Sequence, residues 1–233
     1  MLDASKAFDR LVHKGLFLKL MERNIPKIFL NVIMTWHDGL MCRVRCENTY
    51  SEWFSISAGV RQGGVLSPDF YSIYVDELIN ILRKSGIGCH VRGIFASALF
   101  YADDMAVIAP SVRGLQKLLD LCHAYCVEWD ILLNAKKSKN LFFGKGVAPA
   151  YSCQINNVSI PWVNDWPYLG VRVKSGPKFD CCVKEKLSSF YRSLNAIIRI
   201  DGNPDEMVRL CLLEAHCLPI LTYGIEILHV STV

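Results

Sequence analysis

FYADDMAVIA (residues 100–109) places two adjacent aspartates, Asp103 and Asp104, in a run that is otherwise apolar. Burying one unpaired carboxylate is costly, and two neighbours repel each other. On a strand, successive side chains point to opposite faces, but at a hairpin turn both carboxylates reach one edge. The pattern therefore predicts Phe100–Tyr101 and Met105–Ile108 as paired strands, with Ala102–Asp104 as the turn. Such a tip needs positive charge nearby. A hard divalent cation suits it, because Mg²⁺ takes carboxylate oxygens and leaves room for substrate phosphates. Two ions held ~4 Å apart can clamp the attacking and leaving oxygens of a phosphoryl transfer. The plainer reading is a solvated Asp-Asp turn, since Asp is a common turn residue. Bridging two metals asks for a third carboxylate. Asp3, in LDASKAFDRLVH (2–13), is the candidate, at a point where a strand gives way to a helix. Asp9 is its competitor, with helix capping as its alternative role.

The rest of the 233-residue chain narrows the setting. The composition is 52% hydrophobic, and no run of about 18 apolar residues is evident, so no membrane span is expected. The opening residues carry charge from Asp3 onward and lack an apolar stretch of signal-peptide type, which speaks against secretion. A net charge of +4 permits nucleic-acid contact without arguing for it. The 10 cysteines form no CxxC pair, so neither a zinc ribbon nor a disulfide framework is expected. Cys122 and Cys126 share a helical stripe with Leu115, Leu118, Leu119 and Trp129, and read as core residues. A reducing intracellular location, nuclear or cytoplasmic, follows.

Residues 14–36 read as one or two amphipathic helices interrupted at Pro26, and 41–57 as a hairpin turning at Glu47-Asn48. A loop at 59–68 precedes a helix over Asp69–Leu82, whose Phe70, Ile73, Tyr74, Leu78 and Leu82 share a face. A helix is expected at 112–130, and short strands and turns at 140–173. The composition changes near Gly176-Pro177. Beyond it the chain reads as helical, with a helix start at Asn203-Pro204-Asp205-Glu206.

Taken in order, these segments resemble the palm of a reverse transcriptase, and most closely that of non-LTR (LINE-like) retrotransposons. LDASKAFDRLVH resembles the first palm motif, GVRQGGVLSP (59–68) the second, and YADD (101–104) the metal-binding hairpin. LLNAKKSKNLFF (132–143) resembles the LNxxK segment, WPYLGVRV (166–173) the YLG turn, and LPILTYGIEIL (218–228) part of the region beyond the palm. A group II intron-like enzyme is the nearby alternative. The resemblance implies an α+β fold: a palm with an antiparallel sheet and packed helices over 1–175, then a helical, thumb-like segment over 176–233.

It also implies roles. Asp3, Asp103 and Asp104 would be the catalytic metal ligands for two Mg²⁺ ions, with Mn²⁺ as a substitute. Phe8 would pack against the sugar and disfavour a 2′-hydroxyl. Arg61, Gln62 and Gly63 would meet the incoming nucleotide and template, glycine allowing close backbone approach. Lys137 would approach the leaving phosphates, with Lys136 and Lys139 solvated or near the backbone of the nucleic acid. Tyr101, Tyr168, Leu169 and Gly170 would support the primer end. The partners implied are an RNA template, a DNA primer and dNTPs.

One departure stands out. Only Met1 and Leu2 precede Asp3. The sequence thus predicts that the fingers and the strand delivering Asp3 are missing, leaving Asp3 on a fraying terminus beside an opened sheet. The expectations are a truncated polymerase of little independent activity, an enzyme completed by another chain that supplies the fingers, or a non-catalytic nucleic-acid-binding remnant.

Overall fold

The computed structural model describes residues 1–178, 180, 181, 183–200 and 205–227. It is a mixture of helices and antiparallel sheets, and divides into two compact units. The first comprises Met1–Asn140 with Pro149–Pro161, and the second Leu141–Ala148 with Trp162–Val233.

A four-stranded sheet organises the first unit. It is built from β1 (Leu2–Ser5), β2 (Ala98–Tyr101), β3 (Asp104–Val107) and β4 (Leu132–Leu133), in the order β4-β1-β3-β2. Every neighbouring pair is antiparallel. The strand that carries Asp3 is therefore present and interior, which corrects the expectation of a missing strand and an open sheet. Its cause is backbone pairing on both sides. Leu2 and Asp3 sit opposite Met105 and Asp104, and Ala4 and Ser5 opposite Leu133 and Leu132. Alternation then sorts the side chains: Leu2 and Ala4 are buried, Asp3 and Ser5 only partly so.

Helices cover the apolar face. They are α1 (His13–Glu22), α2 (Lys27–Asp38), α3 (Ser67–Lys84) and α4 (Val112–Glu128). Pro26 separates α1 from α2 as its fixed φ and missing N–H demand. The Ser111 hydroxyl accepts from Gly114 N at 3.1 Å and starts α4. Leu16 and Leu20 of α1, Tyr74, Leu78 and Leu82 of α3, and Leu118, Cys122 and Cys126 of α4 join Leu2 and Met105 in one core. Two buried tyrosine hydroxyls are tied to backbone: Tyr74 donates to the Trp129 carbonyl at 2.7 Å, and Tyr125 to the Tyr74 carbonyl at 2.6 Å. The 41–57 region is a hairpin that pairs Arg45–Cys46 with Thr49–Tyr50 around Glu47-Asn48, as the sequence predicts. Helix α2 leaves Ile28, Phe29, Val32 and Trp36 exposed.

In the second unit, β5 (Asp165–Tyr168) and β6 (Val171–Lys174) form a tight hairpin through Leu169 and Gly170. Arg172 on β6 pairs with Asp165 at 2.6 Å and with Glu185 at 2.8 Å. Glu185 lies on α5 (Lys184–Ile198), so the hairpin belongs with the helices that follow it. The compact division thus falls earlier than the composition change near Gly176. A further helix, α6, runs Glu206–Leu212, while Asn203 and Pro204 of the expected start lie outside the described residues. Helical backbone over Glu206–Ile227 is long and apolar enough to cross a membrane by length and composition alone, which the sequence reading did not identify.

Leu78, fully buried on α3, tests the core. Leu78→Ala is expected to destabilise the protein by about 2–5 kcal/mol in denaturant unfolding, through lost transfer energy and an unfilled cavity.

Candidate active site

LDAS forms a strand because apolar Leu2 and Ala4 alternate with polar Asp3 and Ser5 over a waiting core. Lys6 then adopts a left-handed conformation (φ 52°) and turns the chain into the one-turn helix Ala7–Arg10. Asp3 is braced from the LNxxK segment. Asn134 N donates to the Asp3 carbonyl at 2.9 Å, the Ser138 hydroxyl accepts from Asp3 N at 3.2 Å, and Lys139 N donates to the Met1 carbonyl at 3.0 Å. These bonds replace the fraying end that the sequence predicts.

Across the ladder, Asp3 faces Asp104, and Asp104 faces Tyr101. Directly opposed residues of an antiparallel pair project to the same face, with Cβ atoms ~5 Å apart. Asp103 sits in the turn beside them, next to Ala102, whose φ of 49° lies in the left-handed region. Asp104 is therefore the first residue of β3, and the turn is confined to Ala102-Asp103, which narrows the expected Ala102–Asp104. Tyr101 is 67% exposed and shares the outer face with Asp104.

The electrostatics bear on what this edge can hold. Partial burial raises the Asp104 carboxyl above its ordinary value, and the charges of Asp103 and then Asp3 raise it further. One carboxylate oxygen of Asp3 is buried and accepts no hydrogen bond from the described residues. A buried anionic oxygen without a donor, beside two more carboxylates, suits a hard divalent cation. The donor set fits by chemistry. As the side chains stand, no three His, Cys, Asp or Glu among the described residues are gathered closely enough to hold a metal ion. The exposed Asp103 and Asp104 side chains would have to turn toward Asp3.

The second motif lies against the first. Gly59 N donates to the Leu11 carbonyl and Val60 N to the Phe8 carbonyl, both at 2.7 Å. The loop then turns through Arg61–Gly64, where the Ser67 hydroxyl donates to the Arg61 carbonyl at 2.6 Å. Gly63 has a φ of 77°, and a Cβ placed there would meet nothing within 4 Å, so its backbone is open to an approaching ligand. The Gln62 amide donates to Asp9 at 3.1 Å. Asp9 lies inside the Ala7–Arg10 helix, and the helix that follows, α1, starts at Val12 with no side-chain capping bond, which corrects the capping role weighed for Asp9. Among the described residues the Arg61 guanidinium pairs with no carboxylate. Lys137 is exposed, its backbone N donating to the Asn134 side chain at 3.1 Å.

Phe8 is half-buried and stacks on Tyr71 with ring centroids 5.2 Å apart. Tyr71 is fully buried and its hydroxyl has no partner among the described residues. Burial foremost, then Cys126 and Asp103, push that hydroxyl well above its usual range. The sequence reading missed Tyr71, although it falls on the same helical face as Tyr74 and Leu78. It also missed Asn134 and Ser138 as braces of Asp3, for which no local signal exists. Tyr168, Leu169 and Gly170 lie in the second unit. There Leu169 (φ 47°) and Gly170 (φ 73°) make the turn, and the Tyr223 hydroxyl donates to the Leu169 carbonyl at 2.8 Å.

Comparison with known proteins fits this arrangement. The family model described as reverse transcriptase (RNA-dependent DNA polymerase) matches residues 1–173. The chain belongs to the reverse transcriptase family. This reverse transcriptase chain is 32% identical, over 73% of its length, to an RNA-directed DNA polymerase from the mobile element jockey of Drosophila funebris. It is 30% identical, over 77%, to a retrovirus-related Pol polyprotein from the type-2 retrotransposable element R2DM of Drosophila melanogaster. A probable RNA-directed DNA polymerase from transposon BS of the same fly is 27% identical over 97% of the chain. The chain spans 19%, 18% and 26% of these relatives, so it corresponds to a part of each. The resemblance to non-LTR retrotransposon enzymes is thus met at the level of family, and reverse transcriptases generally use divalent metal ions.

The raised Asp104 carboxyl sets a sign for stability. A carboxyl whose folded value lies above its unfolded value costs stability as pH rises through it. Asp104→Asn is therefore expected to raise Tm at pH 7 in chelator. Millimolar Mg²⁺ or Mn²⁺ should reverse the order by stabilising only the wild type. Thermal melts with and without the cation check both halves.

Proposed function

We propose that this chain is the palm, with the start of a thumb, of a non-LTR retrotransposon RNA-directed DNA polymerase. In this reading the palm extends over about 1–175 and the thumb-like segment over 176–233. The observation that carries it is the register of β1 against β3, which sets Asp3 opposite Asp104 with Asp103 in the adjoining turn. The unpartnered oxygen of Asp3 supports the same reading.

The reaction is attack of a primer 3′-hydroxyl on the α-phosphate of a dNTP, with pyrophosphate leaving. Two Mg²⁺ ions, when bound by Asp3, Asp103 and Asp104, would supply charge neutralisation for the attacking and leaving oxygens. The chain's own residues position the reactants. Arg61 offers an uncommitted guanidinium to phosphate, and exposed Lys137 offers an ammonium from the segment that braces Asp3. Gln62 and Gly63 present an amide and an open stretch of backbone to the nucleotide and template base. Phe8, backed by Tyr71, presents a fixed ring to the sugar. Tyr101, on the outer face of the first unit's sheet, would contact the primer strand. For the Tyr168–Gly170 turn of the second unit, the primer role is what the family resemblance implies.

Primer extension on an RNA template with Mg²⁺ and dNTPs tests the reading. Little incorporation is expected from so short a part of the enzyme, and what there is should fall to background in the Asp103→Ala/Asp104→Ala variant. Folded wild-type protein that incorporates nothing would sink the assignment of nucleotidyl transfer to this chain. In the same assay Phe8→Ala is expected to weaken discrimination against ribonucleotides by about tenfold or more, since rejection of one hydroxyl depends on a fixed wall.

A further inference from the structure

We infer that Asp9 is a positioning residue that orients the Gln62 amide, within a clamp by which residues 8–13 hold the loop that begins at Ala58. The inference rests on the polymerase reading, because it assigns Gln62 a nucleotide or template base to meet.

The clamp is built from both strands of contact. Val12 and Ala58 form an antiparallel bridge. Gly59 N and Val60 N donate to the Leu11 and Phe8 carbonyls at 2.7 Å each. The His13 ring, buried against Phe17 and His37, hydrogen-bonds the Gly59 carbonyl through Nε2 at 2.7 Å. The approach is close enough to need glycine. Gly59 has a φ of 88°, and an added Cβ would stand 2.7 Å from the Asp9 carbonyl oxygen. Once Gly59 and Val60 are fixed, Gln62 is delivered beside the Asp9 side chain.

Asp9 then does something a neutral residue would not. An ionised carboxylate only accepts hydrogen bonds, whereas a glutamine amide has a donating and an accepting end. The bond of 3.1 Å from Gln62 Nε2 to Asp9 Oδ1 therefore selects one flip of the amide. Its nitrogen is held by Asp9, and its carbonyl oxygen faces away as an acceptor of fixed direction. Asp9 does not cap the helix that follows, which starts at Val12 without a side-chain capping bond. Its carboxylate is exposed, so removing it leaves the core intact.

The test uses Asp9→Ala, Asp9→Asn, Gln62→Ala and the Asp9→Ala/Gln62→Ala double variant. In primer extension, Asp9→Ala is expected to raise the KM for dNTP by about 3–10-fold, one hydrogen bond's worth, with kcat within about twofold. The double variant should be no worse than Gln62→Ala, because Asp9 acts through Gln62. Asp9→Asn, which keeps an acceptor but loses the choice of flip, should recover part of the loss. A second readout needs no turnover. The Gln62 side-chain amide pair in a ¹⁵N spectrum, identified by its disappearance in Gln62→Ala, should move to the free-amide position in Asp9→Ala. An amide signal indifferent to Asp9→Ala overturns the inference. So do additive losses in the double variant, or a changed Mg²⁺ requirement in place of a changed KM. An Asp9-dependent amide signal in protein that incorporates no nucleotide would instead refute the polymerase reading, and the positioning role with it.

Discussion

Everything at the candidate site depends on one short strand being paired along both edges. Leu2–Ser5 lies between Asp104–Val107 and Leu132–Leu133, and its backbone bonds fix where the Asp3 carboxylate starts. Backbone pairing suits that task. It sets position through the main chain, so the side chain keeps its oxygens for other partners. The additional bonds from Asn134 and Ser138 act on the Asp3 carbonyl and N–H, again leaving the carboxylate uncommitted. A ligand-binding group held this way is placed by the fold without being satisfied by it.

The cost of that arrangement is like-charge repulsion. Three aspartates share one end of the sheet, and partial burial together with the charges of Asp103 and Asp3 raises the Asp104 carboxyl. The left-handed Ala102 at the same turn adds backbone strain, since a Cβ disfavours that region. Both features are local departures from stability, and they coincide with the residues to which a polymerase reading gives chemistry. The surrounding core is ordinary by contrast, with leucines, free cysteines and hydrogen-bonded tyrosines on three helices.

Much of this was legible because it is local. The Asp-Asp pair in an apolar run announced a hairpin tip. Pro26 announced a helix break, and the stripe of Phe70, Tyr74 and Leu78 announced a buried helix face. Free Cys122 and Cys126 packed as small hydrophobes, as their helical spacing implied. What escaped was non-local. The alternation in LDAS is only four residues long, so the sequence suggested a strand ending there but not the partners on both sides that hold it. The pairing of Asp9 with Gln62 was invisible for the same reason, because neither residue's neighbours point to the other. Tyr71 was a different miss. Its signal was present in the helical spacing but lay beside a stronger stripe.

The long reach of the first strand also has a kinetic side. Asp3 N is bonded to a hydroxyl 135 positions later in the chain. Closing so wide a loop costs entropy that no local contact offsets in advance, so such pairings form slowly and late. Until Leu133 has been synthesised, the two edges of Leu2–Ser5 cannot both be paired, and the brace on Asp3 N waits for Ser138. The helices can assemble early, but the acidic site comes into being only with the last stitch of the sheet.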